Sequence, residues 1–270
     1  VTVLAITSQK GGVGKTTVSV NLAYSLARRG WHTLLIDTDP QGSVGLSLSE
    51  KARKCRGFYD AINSGASAES MILATRLPEL RILTSGHPHG FFEAVQQGID
   101  APAALQRITS ELRSRQGFDA ILIDTPAGLA GITGDVLRTA DAVLIPQQAE
   151  PLGMRSIPQV LHAIQSLRSK GSPLEVAGIL MTMVQQDQRE STDVIRELRS
   201  LLPARLLLNT LIPRDPAFIR ASAVGVPVAL LYQQPPAVAH VFDQLAAELE
   251  PRLRLARSRP QSHEHTKLMD

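Results

Sequence analysis

Seven short apolar runs punctuate the chain, at residues 3–6, 32–37, 80–84, 118–124, 141–146, 176–183 and 205–212. They are continuous rather than alternating, the pattern of strands buried on both faces. Between them the apolar positions recur at helical spacing. Val18, Leu22 and Leu26 mark a helix over 18–29, and Leu105, Ile108 and Leu112 another over 102–116. Further helices are predicted over 157–168, 189–202 and 237–250. In the helix over 189–202, Val194, Ile195, Leu198, Leu201 and Leu202 share one arc at 100° per residue. Strands that alternate with helices predict an α/β fold: a doubly wound, mainly parallel sheet of seven to eight strands with helices on both faces. Residues 43–79 show less order, with a short helical piece expected from Gly57 to Ile62. Lys51, Arg53, Lys54 and Arg56 there read as a solvated face. No composition shift or repeat divides the chain before residue 251, so one domain over 1–251 is expected.

Charge alters this picture at one end only. The net charge is +3, and residues 251–270 hold five Arg or Lys against Glu264 and Asp270, which accounts for all of it. The tail, 252–270, is therefore expected to be basic and disordered, while the domain is neutral. Any nucleic-acid surface has to be a local patch. No apolar run reaches the roughly 18 residues of a membrane span. A lone Cys55 leaves no partner for an intrachain disulfide. With a strand already at the start of the sequence, no signal peptide is expected, and the lone cysteine fits a reducing cytoplasm.

The candidate chemistry lies where strands end. Between the first strand and the first helix stands Gln9-Lys10-Gly11-Gly12-Val13-Gly14-Lys15-Thr16-Thr17. Glycines let backbone N–H groups turn onto an anion, and the helix start adds unpaired donors and partial positive charge. Lys15 is placed to reach β- and γ-phosphates, and Thr16 to offer a hydroxyl to Mg²⁺. Two positions depart from the general phosphate-loop pattern: Gln9 replaces its first glycine, and Lys10 adds a second lysine. The second strand ends in Asp37-Thr38-Asp39-Pro40-Gln41-Gly42, and the fourth in Asp124-Thr125-Pro126-Ala127-Gly128. Acids at strand ends in an open parallel sheet face the ligand crevice. Asp124 reads as the acid that bonds through water to Mg²⁺, and the segment 125–131, with Gly128 and Gly131, as a loop able to rearrange. The two histidines of Ser85-Gly86-His87-Pro88-His89-Gly90 have no acid or thiol at ligand spacing and read as a surface loop near the site.

Lys-Gly-Gly-Val-Gly-Lys-Thr-Thr resembles the deviant Walker A loop of the ParA/MinD family of dimeric ATPases. The three motifs stand in that family's order, over roughly residues 2–250. The resemblance implies ATP and Mg²⁺ as cofactors, with Lys10 crossing a homodimer interface to the partner's nucleotide. It implies that Asp39 is needed for hydrolysis and helps orient the attacking water, and that Asp37 lies near the waters of Mg²⁺. It places Pro213 and Arg214 at the adenine. Past Arg214 the chain departs from the family, with Asp215, Ala217 and Ile219-Arg220-Ala221 where Asn, a basic residue and Ser-Glu-Ala are usual. Slow turnover is expected, because no catalytic glutamine or in-cis arginine finger is evident.

The family divides by partner. Iron-protein and arsenical-pump relatives use cysteines that this chain lacks. A MinD-type membrane helix is only sketched by Leu245, Leu249, Leu253 and Leu255, with Pro251 interrupting. With the phosphate loop at residue 10, no DNA-binding domain is expected before it. A short ParA-like ATPase remains the expectation: an ATP-dependent homodimer, nucleoid-associated, that binds DNA without sequence preference. It would position a chromosome, plasmid or protein cargo with a ParB-like or cargo-adaptor protein. The DNA surface is assigned to Arg189, Arg196 and Arg199 along one edge of a helix, with Arg220 and Lys170 extending it. The alternatives are a MinD-, flagellar- or cellulose-type regulator, or an ATP-dependent biosynthetic ligase.

Overall fold

In the computed structural model, residues 1–46, 54–89, 98–114 and 117–256 are described, together with Phe91 and Gln96. In chain order the elements are β1 (Thr2–Ile6), α1 (Lys15–Arg28), β2 (Thr33–Asp37), α2 (Ser43–Leu46), α3 (Phe58–Ser64), β3 (Leu73–Ala74), β4 (Leu80–Leu83), α4 (Ala101–Ser114) and β5 (Ala120–Asp124). They continue with α5 (Ile132–Thr139), β6 (Ala142–Gln148), α6 (Pro151–Met154), α7 (Ile157–Ser169), β7 (Glu175–Val184), α8 (Arg189–Leu201), β8 (Leu207–Pro213), α9 (Pro216–Val224) and α10 (His240–Arg252).

The strands form one eight-stranded sheet in the order β3-β4-β2-β5-β1-β6-β7-β8. Every pairing is parallel except β3 with β4. Alternate residues of β1 feed two cores. Val3 and Ala5 pack with α3, α4, α5, α7 and α8, while Leu4 and Ile6 pack with α1, α9 and α10. This two-sided burial is why the strands read as continuous apolar runs. From β1 the chain winds to β2 and β4 on one side, and from β6 to β7 and β8 on the other. The crevice of a doubly wound sheet opens at that reversal, outside the strand ends. Register brings the site together there: Ile6 and Asp37 each stand beside Asp124.

The expected fold class holds, with differences at its margins. β3 is two residues long and runs antiparallel, too short to leave a pattern. The short helices α5 and α9 were not anticipated. Leu201, expected on the buried arc of its helix, is 66 % exposed. It is the last residue of α8 and lies past the core that takes Val194, Ile195 and Leu198. Leu245, Leu249 and Leu253 are buried in the second core, so they offer no membrane face. Pro251 sits in the last turn of α10, which ends one residue later. At the open edge, Glu248 accepts the backbone N–H groups of Asn209 at 2.8 Å and Thr210 at 2.9 Å, closing part of β8 to further pairing. The disordered-tail expectation for 252–270 fails at its start, where Arg252 donates to the Ala177 and Arg205 carbonyls and Leu253 is buried in the second core; residues 257–270, like Lys51 and Arg53 of the basic cluster, lie outside the described residues.

Candidate active site

The loop between β1 and α1 is shaped by its glycines. Gly12 and Gly14 adopt φ of 75° and 89°, where a side chain is strained. No side chain caps α1, so its first N–H groups remain available to an anion. Lys15, only 8 % exposed, stands inside this turn with Nζ 3.3 Å from the Ser8 hydroxyl. Burial lowers its pKa, and the charges of Asp124 and Asp39 oppose that shift. Thr16 donates to Asp124 Oδ2 at 2.8 Å, and Ser19 donates to Oδ1 at 2.7 Å. Asp124 is fully buried. Burial pushes its pKa up to about 6, against the pull of the Ser19 and Thr16 hydroxyls and of Lys15.

Asp37 is also buried, and desolvation followed by repulsion from Asp124 raises its pKa well above the usual range. Both its oxygens accept backbone N–H groups, from Asp39 and from Val44, each at 3.0 Å. It therefore folds the turn as well as adding charge. Asp39 is half-buried, with Oδ1 accepting the Gln41 N–H at 2.9 Å. Neighbouring strand ends brace the loop. Thr182 donates to the Val13 carbonyl at 2.8 Å, and the Gly128 N–H donates to the Ser8 carbonyl at 3.0 Å.

Beside the loop lies a cavity of about 490 Å³, lined by Val13, Gly14, Thr17, Met183, Pro213 and Arg214 among others. Met183 holds a positive φ of 52°, a strained setting of the kind that collects at ligand sites. The expected loop residues Gly11 to Thr17 thus meet Asp37, Asp39 and Asp124 at one end of the sheet, and Pro213 and Arg214 line the adjoining cavity. Lys10 points elsewhere and forms an ion pair with Glu150, at the start of α6.

A nucleoside triphosphate with Mg²⁺ fits this donor set. No group of three or more His, Cys, Asp or Glu among the described residues is arranged to hold a metal ion. A cation would rest on the Thr16 hydroxyl, on phosphate oxygens and on water held by Asp124, an arrangement that suits Mg²⁺.

Of the five basic residues assigned to DNA, Arg189, Arg196 and Arg199 are exposed along α8. Arg196 pairs with Asp193 at 2.6 Å, while Arg189 and Arg199 carry no ion pair among the described residues. Lys170 closes α7, which packs on the same face of the sheet as α8. Arg220 does not extend the strip. It lies on α9, which packs against the opposite face, and donates to the Tyr232 hydroxyl at 3.1 Å.

Sequence reasoning missed Ser19, Glu150, Thr182, Met183 and Tyr59. Ser19 had a signal, since it lies three residues after Thr16 on the same helix face. The others meet the site only through the fold.

A glycine-shaped loop at an uncapped helix start, a buried lysine and paired acids at the crevice of a doubly wound sheet define a P-loop nucleotide-binding ATPase fold. A family profile described as an AAA domain matches residues 1–176. The chain is 32 % identical over 252 residues to the chromosome partitioning protein ParA of Caulobacter vibrioides, covering 92 % of this chain and 93 % of that one. It is 31 % identical over 254 residues to the sporulation initiation inhibitor protein Soj of Bacillus subtilis, covering 92 % and 97 %. Among solved structures, the cobyrinic acid a,c-diamide synthase of Mycobacterium smegmatis with bound ATP analogue and magnesium superposes with a TM-score of 0.76. It is 25 % identical and covers 91 % and 92 % of the two chains. The cell division ATPase MinD of Pyrococcus furiosus matches with a TM-score of 0.73 at 26 % identity, covering 93 % and 98 %. The chain belongs to the ParA/Soj/MinD family of P-loop ATPases, as its loop led us to expect. Among the described residues no helix is long and apolar enough to cross a membrane.

Proposed function

We propose that the chain is a slow, Mg²⁺-dependent ATPase of the partition type, which ATP assembles into a homodimer. The dimer binds DNA without sequence preference, associates with the nucleoid in the cytoplasm and positions a chromosome, plasmid or protein cargo. A ParB-like or cargo-adaptor protein stimulates its turnover. The observation that carries this reading is the different setting of the two loop lysines. Lys15 is buried against Asp124 and Asp39, where it serves the chain's own phosphates. Lys10 is at the surface, with a side chain 43 % exposed, free to exchange Glu150 for a partner's phosphates.

Catalysis of this kind is positioning and charge neutralisation. Lys15 and the loop N–H groups bind the β- and γ-phosphates. Thr16 and Asp124 would hold the cation, directly and through water. When bound, Mg²⁺ would neutralise charge on the β- and γ-phosphates. Asp39 orients the attacking water, and Asp37 holds the turn that carries it. Pro213, Arg214 and Met183 border the base.

Turnover and sedimentation of three variants test the reading. Lys15→Ala should not bind ATP. Asp39→Ala should bind ATP, fail to hydrolyse it and accumulate as dimer. Lys10→Ala should bind ATP and remain monomeric. Hydrolysis by Asp39→Ala at the wild-type rate, or an ATP-driven dimer of Lys10→Ala, would contradict it. The likeness to a structure described as a cobyrinic acid a,c-diamide synthase favours a second reading, a biosynthetic ligase. Stimulation of turnover by a metabolite rather than by DNA would select it.

A further inference from the structure

Tyr59 is fully buried, yet it keeps a polar atom where the site needs one. Its hydroxyl donates to the Thr38 carbonyl at 2.8 Å. That carbonyl belongs to the peptide joining Thr38 to Asp39. The N–H of the same peptide donates to Asp37 Oδ1 at 3.0 Å. The peptide plane is thus pinned at both ends, and its rotation sets the direction in which the Asp39 side chain leaves the backbone. Thr38 itself is fixed on its other side, where its N–H and hydroxyl reach the Asp124 carbonyl at 3.0 Å and 2.8 Å.

Nothing that holds Tyr59 belongs to the phosphate loop. Its ring meets Phe58 edge-on at 5.2 Å and Phe91 at 4.8 Å between centroids. Its backbone N–H donates to the Ser85 carbonyl at 2.9 Å, and that of Phe58 to Thr84 at 2.8 Å. A Cβ on Gly57 would lie 2.2 Å from the Thr84 carbonyl, so α3 starts directly against the end of β4. Asp60 ties in the following loop, accepting the N–H groups of Gly57 at 2.8 Å and His87 at 3.1 Å. The phenol is a fixed post, set in α3 and the end of β4, on which the turn bearing Asp39 rests.

We propose that Tyr59 is a positioning residue for hydrolysis: its hydroxyl fixes the Thr38–Asp39 peptide and with it the aim of the Asp39 carboxylate. The inference rests on the reading of Asp39 as the group that orients the attacking water. Tyr59→Phe removes one oxygen and leaves the ring packing in place. Steady-state hydrolysis with Mg²⁺ and ATP should show kcat falling by about tenfold, the scale of a small misplacement at a reacting centre. KM and the calorimetric affinity for ATP should be unchanged. Phe58→Leu is the packing control, since it loosens the same aromatic cluster without touching the hydrogen bond. It should lower the melting temperature and leave kcat near the wild-type value. Wild-type turnover with an equal kcat in Tyr59→Phe would overturn the inference alone, as would an equal loss in Phe58→Leu or a loss confined to KM. A wild-type protein that hydrolyses no ATP would overturn both the inference and the reading beneath it.

Discussion

Replacing Asp124 with asparagine removes a charge from a place that water does not reach. In the ligand-free protein the carboxyl titrates at about 6 rather than its ordinary 3.8, because burial disfavours the anion more than Ser19, Thr16 and Lys15 favour it. The native state therefore keeps a proton that the unfolded chain releases. Stability from this group is full below about pH 4, falls as pH rises to about 6 and is level above. The shift from 3.8 to about 6 corresponds to about 3 kcal/mol. Asparagine keeps the shape and can still bond Thr16 and Ser19, but carries no charge. Asp124→Asn should thus be more stable than wild type by about 1–3 kcal/mol at pH 7.5, with the two converging near pH 4. The assay is urea unfolding of both proteins, stripped of nucleotide and metal, from pH 4 to 8. The Asp124 charge also holds the pKa of Asp37 up, so the difference reports these two neighbouring carboxyls together. Adding Mg²⁺ and ATP should reverse the order, because the anion is then needed. A difference independent of pH, or a less stable variant at pH 7.5 without ligand, would refute the reasoning.

Two further outcomes follow from the packing around the site. Gly57→Ala should cost roughly 1–3 kcal/mol, the usual scale of overpacking, because its Cβ has only backbone to displace, and thermal melting reads this directly. Glu150→Ala should leave the melting temperature almost unchanged, since an exposed ion pair such as that with Lys10 is worth about 0–1 kcal/mol.

The sequence made the fold legible where burial is two-sided. β1, β2, β5 and β6 read as unbroken apolar runs because each faces helices on both sides. At the sheet margins this logic fails: β8 alternates towards solvent at Asn209, and β3 is two residues long. Leu201 obeys the helical period yet lies past the end of the core, so periodicity alone mislays it. The site was legible where its chemistry is local, in the consecutive loop residues and in the acids that end β2 and β5. Its supports were not, because they join distant parts of the chain. Tyr59 meets Thr38 across 21 positions, Ser19 meets Asp124 across 105, Lys10 meets Glu150 across 140 and Thr182 meets Val13 across 169. The strip on α8 was read from angular position, which placed Arg189, Arg196 and Arg199 correctly on the exposed side. Arg220 was taken as an extension of that strip, and the sheet separates it from the others.

The central claim, a nucleotide-switched DNA-binding dimer, is tested most directly by DNA binding of the Asp39→Ala protein under three nucleotide conditions. Random-sequence duplex would be titrated with ATP, with ADP and without nucleotide, each with Mg²⁺ and over a range of salt. The account predicts binding with ATP alone, indifferent to sequence and weakening with salt by a log–log slope of roughly −0.9 for each phosphate contacted. Binding should be lost when Arg189, Arg196 and Arg199 are all changed to alanine, while the ATP dimer still forms, and retained when residues 257–270 are deleted, a cut that spares Arg252 and the buried Leu253. Equal binding in all three nucleotide conditions, or none in any, would contradict the claim. Loss on deleting the tail with normal binding by the triple variant would show that α8 is the wrong surface.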